Sequence, residues 1–214
     1  MASRLGIAGG DYVDGLDVGD ALLIPRHGDP YTQPHRIDHA ANMQRLADAG
    51  CDRVLALSSV GGLRRELGVG TFLCPDDFIA LHVGKSAFGD RRSHRVAGFD
   101  SEWRREILEV WAGRAETELL DGGVYWESIG PRFETPAEIR LIARHADVIG
   151  MTVASECVIA GELGIRYSAL CVVDNHANGI GKTPLTLAEI EANRERTMGE
   201  LVALLARVLP ALAG

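Results

Sequence analysis

The sequence has no surplus of positive charge: 22 lysines and arginines face 30 aspartates and glutamates, for a formal net charge of -8. A surface of that sign does not track nucleic acid or anionic membrane, so any phosphate must be held by a local group of donors. Cysteine is scarce. Cys51, Cys74, Cys157 and Cys171 lie far apart with no Cys-x-x-Cys pair, which removes the usual zinc and dithiol motifs and reads as buried reduced thiols. No apolar run approaches the length of a membrane span, and the start, MASRLGIAGG, lacks the pattern of a secretory leader. The expectation is a cytoplasmic protein with no membrane or nucleic-acid partner. Repeats, low-complexity tracts and linkers rich in Pro, Gly or Ser are also missing, so one domain over residues 1–214 is expected.

What is present is apolar material for one large core, 46% of residues. Short apolar runs, LGIA, ALLI and VLALS, then DVIGM and YSALCVV, alternate with amphipathic stretches. That order predicts an α/β fold. Apolar residues share a helical face from Ile37 to Ala49, and Gly50 stands where a left-handed cap would end the helix. Thr135-Pro136-Ala137-Glu138 and Thr186-Leu187-Ala188-Glu189 both have the order of a capping box. The polar, basic stretch from Val83 to Gly98 reads as a mobile loop.

Three local patterns imitate known sites. Gly179-Ile180-Gly181-Lys182-Thr183 ends like a P-loop, but His176 stands where a glycine is needed and Pro184 follows where a helix should begin. His35 and His39 have zinc-helix spacing without the neighbouring glutamate, so they read as a solvated helix face and no metal site is expected. Gly6-Ile7-Ala8-Gly9-Gly10 is half a dinucleotide fingerprint with its third glycine misplaced. The glycine pair can still serve as a tight turn, or as amides that approach an anion closely.

Four groups of residues fall at predicted strand ends, where open α/β sheets bind ligands: Arg26-His27-Gly28; Ser58-Ser59-Val60-Gly61-Gly62; Gly130-Pro131-Arg132-Phe133-Glu134-Thr135; and Met151-Thr152 with Asp174-Asn175-His176. Each alone has an ordinary explanation: a serine pair is a common turn, and Phe133 or Met151 would usually be core. Together, in order, they resemble the trimeric purine nucleoside and methylthioadenosine/methylthioinosine phosphorylases. RHGDPYTQPHRIDHAANMQRLADAGC, VLALSSVGGLRRELGVGTFLCPDDFI, GVYWESIGPRFETPAEIR and ADVIGMTVASECVIAGELGIRYSALCVVDNHANG carry the resemblance from Arg26 to about Gly179.

The resemblance implies a single domain with a central mixed β-sheet flanked by helices, a homotrimer, and inorganic phosphate as co-substrate without another cofactor. It implies that Gly10, Arg26, His27, Ser58, Ser59 and Thr152 surround phosphate, with the guanidinium pairing bidentately. Met151 would lie against the ribose and Phe133 on the purine. Glu134 would accept the N1 hydrogen of a 6-oxopurine, and Asn175 would bond its O6 and N7 edge. Asn175, Asp174 and His27 become the candidate catalytic residues. The implied reaction is phosphorolysis of inosine, guanosine or 5′-methylthioinosine to free purine and a ribose 1-phosphate.

The chain departs from the family pattern at Asp11, which follows Gly9-Gly10 where a serine or threonine normally binds phosphate. A carboxylate there would repel an anion by about 4 kcal/mol per charge pair at ~4 Å and an effective dielectric of ~20. The stretch from Asp11 to Arg26 is also shorter than in typical relatives. These features keep two alternatives open: a nucleosidase using Asp11 or Asp14 to activate water and Asp174 to protonate the purine, and a non-catalytic purine-binding homologue.

Overall fold

The computed structural model describes residues 3–10, 13, 16–181 and 185–214. Among them nine strands join one mixed sheet: β1 Leu5–Gly9, β2 Leu22–Pro25, β3 Arg53–Gly62, β4 Phe72–Cys74, β5 Asp77–Ile79, β6 Leu119–Asp121, β7 Val124–Glu127, β8 Val148–Gly150 and β9 Arg166–His176. Five α-helices accompany them: α1 His39–Asp48, α2 Ser101–Arg114, α3 Pro136–Ile142, α4 Val153–Glu162 and α5 Leu187–Ala213. All five apolar runs read from the sequence are strands. The short β4 to β7 were not among them.

The helix signals fold as their chemistry dictates. Asp38 caps α1 by accepting from the Ala41 amide, and Gly50 beyond its end has φ +79°. Thr135 and Glu138 form the complete reciprocal box at α3, and the Thr186 hydroxyl accepts from the Glu189 amide at α5. One face of the sheet is covered by α2 and α5, through Trp103, Ile107 and Trp111 and through Leu201, Leu205 and Val208. The other is covered by α1 and α4, through Met43, Leu46, Val153 and Cys157. Each aliphatic side chain so buried contributes roughly 1.5–3 kcal/mol. The four cysteines are buried free thiols, and burial pushes Cys74 up to about 11. Among the described residues, no helix is long and apolar enough to cross a membrane.

The stretch from Val83 to Gly98 is irregular apart from a 3-10 turn at Arg91–Ser93, and the Glu162 carboxylate ties it to α4 by accepting from Ser86 Oγ and the Ala87 amide.

Two irregularities in the centre of the sheet prepare a site. First, β9 runs along one edge of β3 for its whole length, while the other edge is shared. There β1 pairs in parallel from Arg53 to Ala56 and β8 pairs antiparallel at Gly61 and Gly62. Between them, residues 57–60 of β3 pair with neither, so the sheet forks. Second, Val60 pairs with Val173 but Gly61 pairs with Asn175, making Asp174 the extra residue of a bulge. Bulges re-aim side chains at the ends of strands.

Candidate active site

A cavity of about 390 Å³ opens at the fork. Gly10, Arg26, His27, Ser58, Ser59, Phe133, Glu134, Met151, Thr152 and Asn175 all border it. Residues spread over most of the chain thus meet in one place. Asp174 is the exception: it has no exposed surface and does not line the cavity. Asp11 and Asp14 lie outside the described residues.

Arg26 follows β2 and turns back into the fork. Its Nε and Nη2 donate to the two carboxylate oxygens of Glu156 at 2.7 and 3.0 Å, Nη1 donates to the Leu57 carbonyl, and Nη2 also donates to the Ala8 carbonyl. Those four bonds leave at most one of its five N–H groups for a ligand. The expected bidentate grip on phosphate is therefore corrected: Glu156, in the first turn of α4, occupies the fork of the guanidinium. Burial pushes the Glu156 carboxyl up, but the charge of Arg26 and the proximity of His39 pull it well below the usual carboxylate range. Tyr167 also donates to it at 2.7 Å. His39 is a second correction. It is buried, not solvated, because it opens α1 facing inward with Nδ1 3.8 Å from Glu156. His35 sits apart, exposed in the 3-10 turn Pro34–Arg36.

The remaining residues at this end are held by short-range bonds. The loop after β2 closes by a bond from the Thr32 amide to the His27 carbonyl, and the His27 ring contacts the Thr32 carbonyl through Nδ1 and stacks on Tyr31. Thr152 precedes α4 and makes no side-chain cap for it. The first amides of that helix are instead taken by the Tyr125 hydroxyl and by Glu127, which accepts from the Ser155 amide and hydroxyl. Protein groups, one of them a buried carboxylate, thus already cap the positive end of the α4 dipole.

At the opposite end the GPRFET segment is stapled by Arg132, whose guanidinium grips Glu138 at 2.7 and 2.9 Å while Glu138 closes the α3 capping box. The half-buried Glu138 carboxyl falls to about 2 mainly through that arginine. Gly130 has φ +67°, and a Cβ there would come within 2.6 Å of Met151 Sδ, so glycine lets this loop rest on the methionine. Phe133 is 46% exposed at the cavity rim, and Glu134 beside it is half-buried. Asn178 donates to the Glu134 carbonyl at 3.1 Å, a tether absent from the sequence reading although it lies within the DNHANG run. The bulge brings Asn175 level with Gly61, where a Cβ would meet Ile149 at 3.1 Å and Asn175 Nδ2 at 3.5 Å.

Sequence reasoning also missed the N-terminal half of α5, whose Leu187, Ile190, Glu191 and Arg194 line the same cavity. The capping box at Thr186 marked only where that helix begins. Glu156 had a usable signal, a carboxylate on the otherwise apolar helical face of Val153, Cys157 and Ala160, where a buried charge demands a partner. Among the described residues, no group of three or more His, Cys, Asp or Glu side chains is placed to hold a metal.

With 40% identity over 179 residues, the chain matches a probable 6-oxopurine nucleoside phosphorylase of Archaeoglobus fulgidus, covering 83% of this chain and 72% of that protein. A probable S-methyl-5′-thioinosine phosphorylase of Pseudomonas syringae pv. tomato is 36% identical, with 94% and 84% covered. The fold also matches a methylthioadenosine phosphorylase from Schistosoma mansoni in complex with adenine, at a TM-score of 0.83 and 19% identity, covering 99% of this chain and 91% of that one. Since the model of the phosphorylase superfamily matches residues 3–210 and the Archaeoglobus relative is 40% identical, the chain belongs to that superfamily, and the structural match gives it the nucleoside phosphorylase fold.

Proposed function

We propose that the protein is a purine nucleoside phosphorylase acting on 6-oxopurine nucleosides, inosine or guanosine or their 5′-methylthio counterpart, with inorganic phosphate as co-substrate and no other cofactor. The observation that carries this reading is the convergence of the anion, sugar and base candidates on one cavity. Phosphate at the Arg26, Ser58 and Thr152 end attacks the anomeric carbon while the purine leaves from the Glu134 and Asn175 end. The bond to the base breaks with its electron pair going to the purine, so positive charge develops on the ribose and negative charge on the ring. Asn175 stabilises the latter, and protonation at N7 completes departure. Positioning supplies most of the rate, without a covalent intermediate. Glu134 accepts N1–H of a 6-oxopurine and would confront the N1 lone pair of a 6-aminopurine, a mismatch of about 1–3 kcal/mol.

The hydrolytic alternative needs Asp174 as proton donor to the purine, and its buried carboxylate is committed to two hydroxyls. That favours phosphorolysis. A homotrimer in the cytoplasm completes the reading, on the resemblance alone. The test is release of hypoxanthine from inosine and 5′-methylthioinosine, with adenosine as control, in buffer with and without phosphate. A phosphate requirement and a sugar 1-phosphate product are expected; equal rates without phosphate would replace the assignment with a nucleosidase, and binding without turnover would replace it with a purine-binding protein.

A further inference from the structure

Ser59 borders the cavity from β3, and the bulge of β9 sets Asp174 directly behind it. Ser59 Oγ hydrogen-bonds Asp174 Oδ2, and Thr197 Oγ1 on α5 lies 2.5 Å from Asp174 Oδ1. The charged group of α5 nearest in effect to this carboxylate is Arg194. A serine hydroxyl has a single proton, and a carboxylate has none to give. The proton in the Ser59–Asp174 bond is therefore that of Ser59, and what the serine turns toward the cavity is a lone pair.

Resting on the phosphorolytic reading, we infer that Asp174 is a positioning residue that makes Ser59 a hydrogen-bond acceptor for a ligand hydroxyl. The hydroxyl is the P–OH of monohydrogen phosphate or an O–H of the ribose. This gives a definite polarity to the contact with phosphate that the resemblance implies for Ser59. It also fits its surroundings, because Arg26 has at most one N–H left for a ligand and the first amides of α4 are already capped. Among the described residues the anion end is poorer in donors than its residue list suggests, and an oxyanion without a proton would meet the Ser59 lone pair unfavourably.

Sulfate has the shape and charge of monohydrogen phosphate but carries no proton at neutral pH, so the pair tests hydrogen-bond polarity. Phosphate and sulfate are titrated calorimetrically into wild type, Asp174→Asn, Ser59→Ala and the double variant, and KM is measured for inosine and its 2′-deoxy and 3′-deoxy analogues. In Asp174→Asn the amide N–H₂ donates to Ser59 and its carbonyl accepts from Thr197, which frees the serine proton for the cavity. If the hydroxyl is that of phosphate, the wild-type preference for phosphate over sulfate falls about tenfold in Asp174→Asn and in Ser59→Ala. If it belongs to ribose, the preference for inosine over one deoxy analogue falls instead and the anion ratio stays put. Either result supports the inference, provided Asp174→Asn adds nothing in the Ser59→Ala background. Both ratios unchanged in both single variants would overturn it, as would a shift on Asp174→Asn that persists without Ser59. Wild type that binds no phosphate and turns over inosine without it would overturn the phosphorolytic reading itself, a result visible before any variant is made.

Discussion

Glu156 holds Arg26 with both carboxylate oxygens, at 2.7 and 3.0 Å, and the two side chains are 0% and 3% exposed. The pair makes the positive charge at the anion end a shared one. On the proposed reading, phosphate at this end would meet a salt bridge, with the guanidinium fixed in place by two backbone carbonyls besides.

Replacing Glu156 with Gln leaves that guanidinium buried without its counter-charge, so unfolding in urea should show a loss of about 3–5 kcal/mol. The pH dependence has a definite sign. Because the folded Glu156 carboxyl lies well below its ordinary value, its contribution to stability is present above that value and disappears as pH falls through the folded one. Wild type should therefore lose stability in acid more steeply than Glu156→Gln. Parallel acid limbs for the two proteins would contradict this account.

Asp174 has the opposite sign. Burial raises its carboxyl above the ordinary value, against the pull of Ser59, Thr197 and Arg194, so the folded state binds its proton more tightly than the unfolded chain does. The associated stability is complete below the ordinary value and is lost as pH rises through the raised one. At neutral pH, Asp174→Asn should melt at or above the wild-type temperature in differential scanning calorimetry. A drop of several degrees would show that the charge itself holds β9 to α5.

Selectivity for the base should depend on Glu134 far more than on anything around it. On the proposed reading, Glu134→Gln exchanges the charged acceptor for N1–H for a neutral amide carbonyl and supplies a donor for the N1 of adenine, so the ratio of kcat/KM for inosine over adenosine should fall roughly 5- to 150-fold, equivalent to about 1–3 kcal/mol. Competition kinetics with the two nucleosides in one pot reads that ratio directly.

Thr152 has a buried side chain at the cavity and gives no cap to its own helix. Thr152→Val keeps the shape and removes the hydroxyl. The KM for phosphate should rise about tenfold or more, as for a lost hydrogen bond to a charged group, with KM for the nucleoside nearly unchanged. A fold weakened as a whole would move both constants and the melting temperature together.

The sheet was legible in the sequence wherever an apolar run stood out against its polar neighbours, in the long β3 and β9 and also in β2 and β8, which span only four and three residues. The strands β4 to β7 span three or four residues each, too few to establish a period, and their position comes from pairing with distant partners such as β9 and β8. The candidate site was legible as a list of residues, because strand ends and motif order reveal which side chains can meet. Who bonds whom was not. The sequence offers Arg26 to phosphate, yet Glu156, 130 positions away, reaches its fork first. His39 has the spacing of an exposed helix face, but the helix begins at that residue and turns it toward the core. Asp174 reads as an acid at a strand end, and only the register shift between Val60 and Gly61 places it behind the cavity wall.

The fork in β3 also bears on when this site comes into being. Gly10, Arg26, Ser59, Thr152 and Asn175 are brought together only by pairings of high sequence separation, and such contacts form late because loop closure precedes any return. A half-assembled sheet has no pocket to offer. Ligands that occupy it can thus distinguish the complete fold from partly folded chains, and at a hundred times its dissociation constant such a ligand adds about 2.7 kcal/mol to the stability of the native state. A saturating ligand should therefore slow proteolysis of the chain, independent of how fast it turns over.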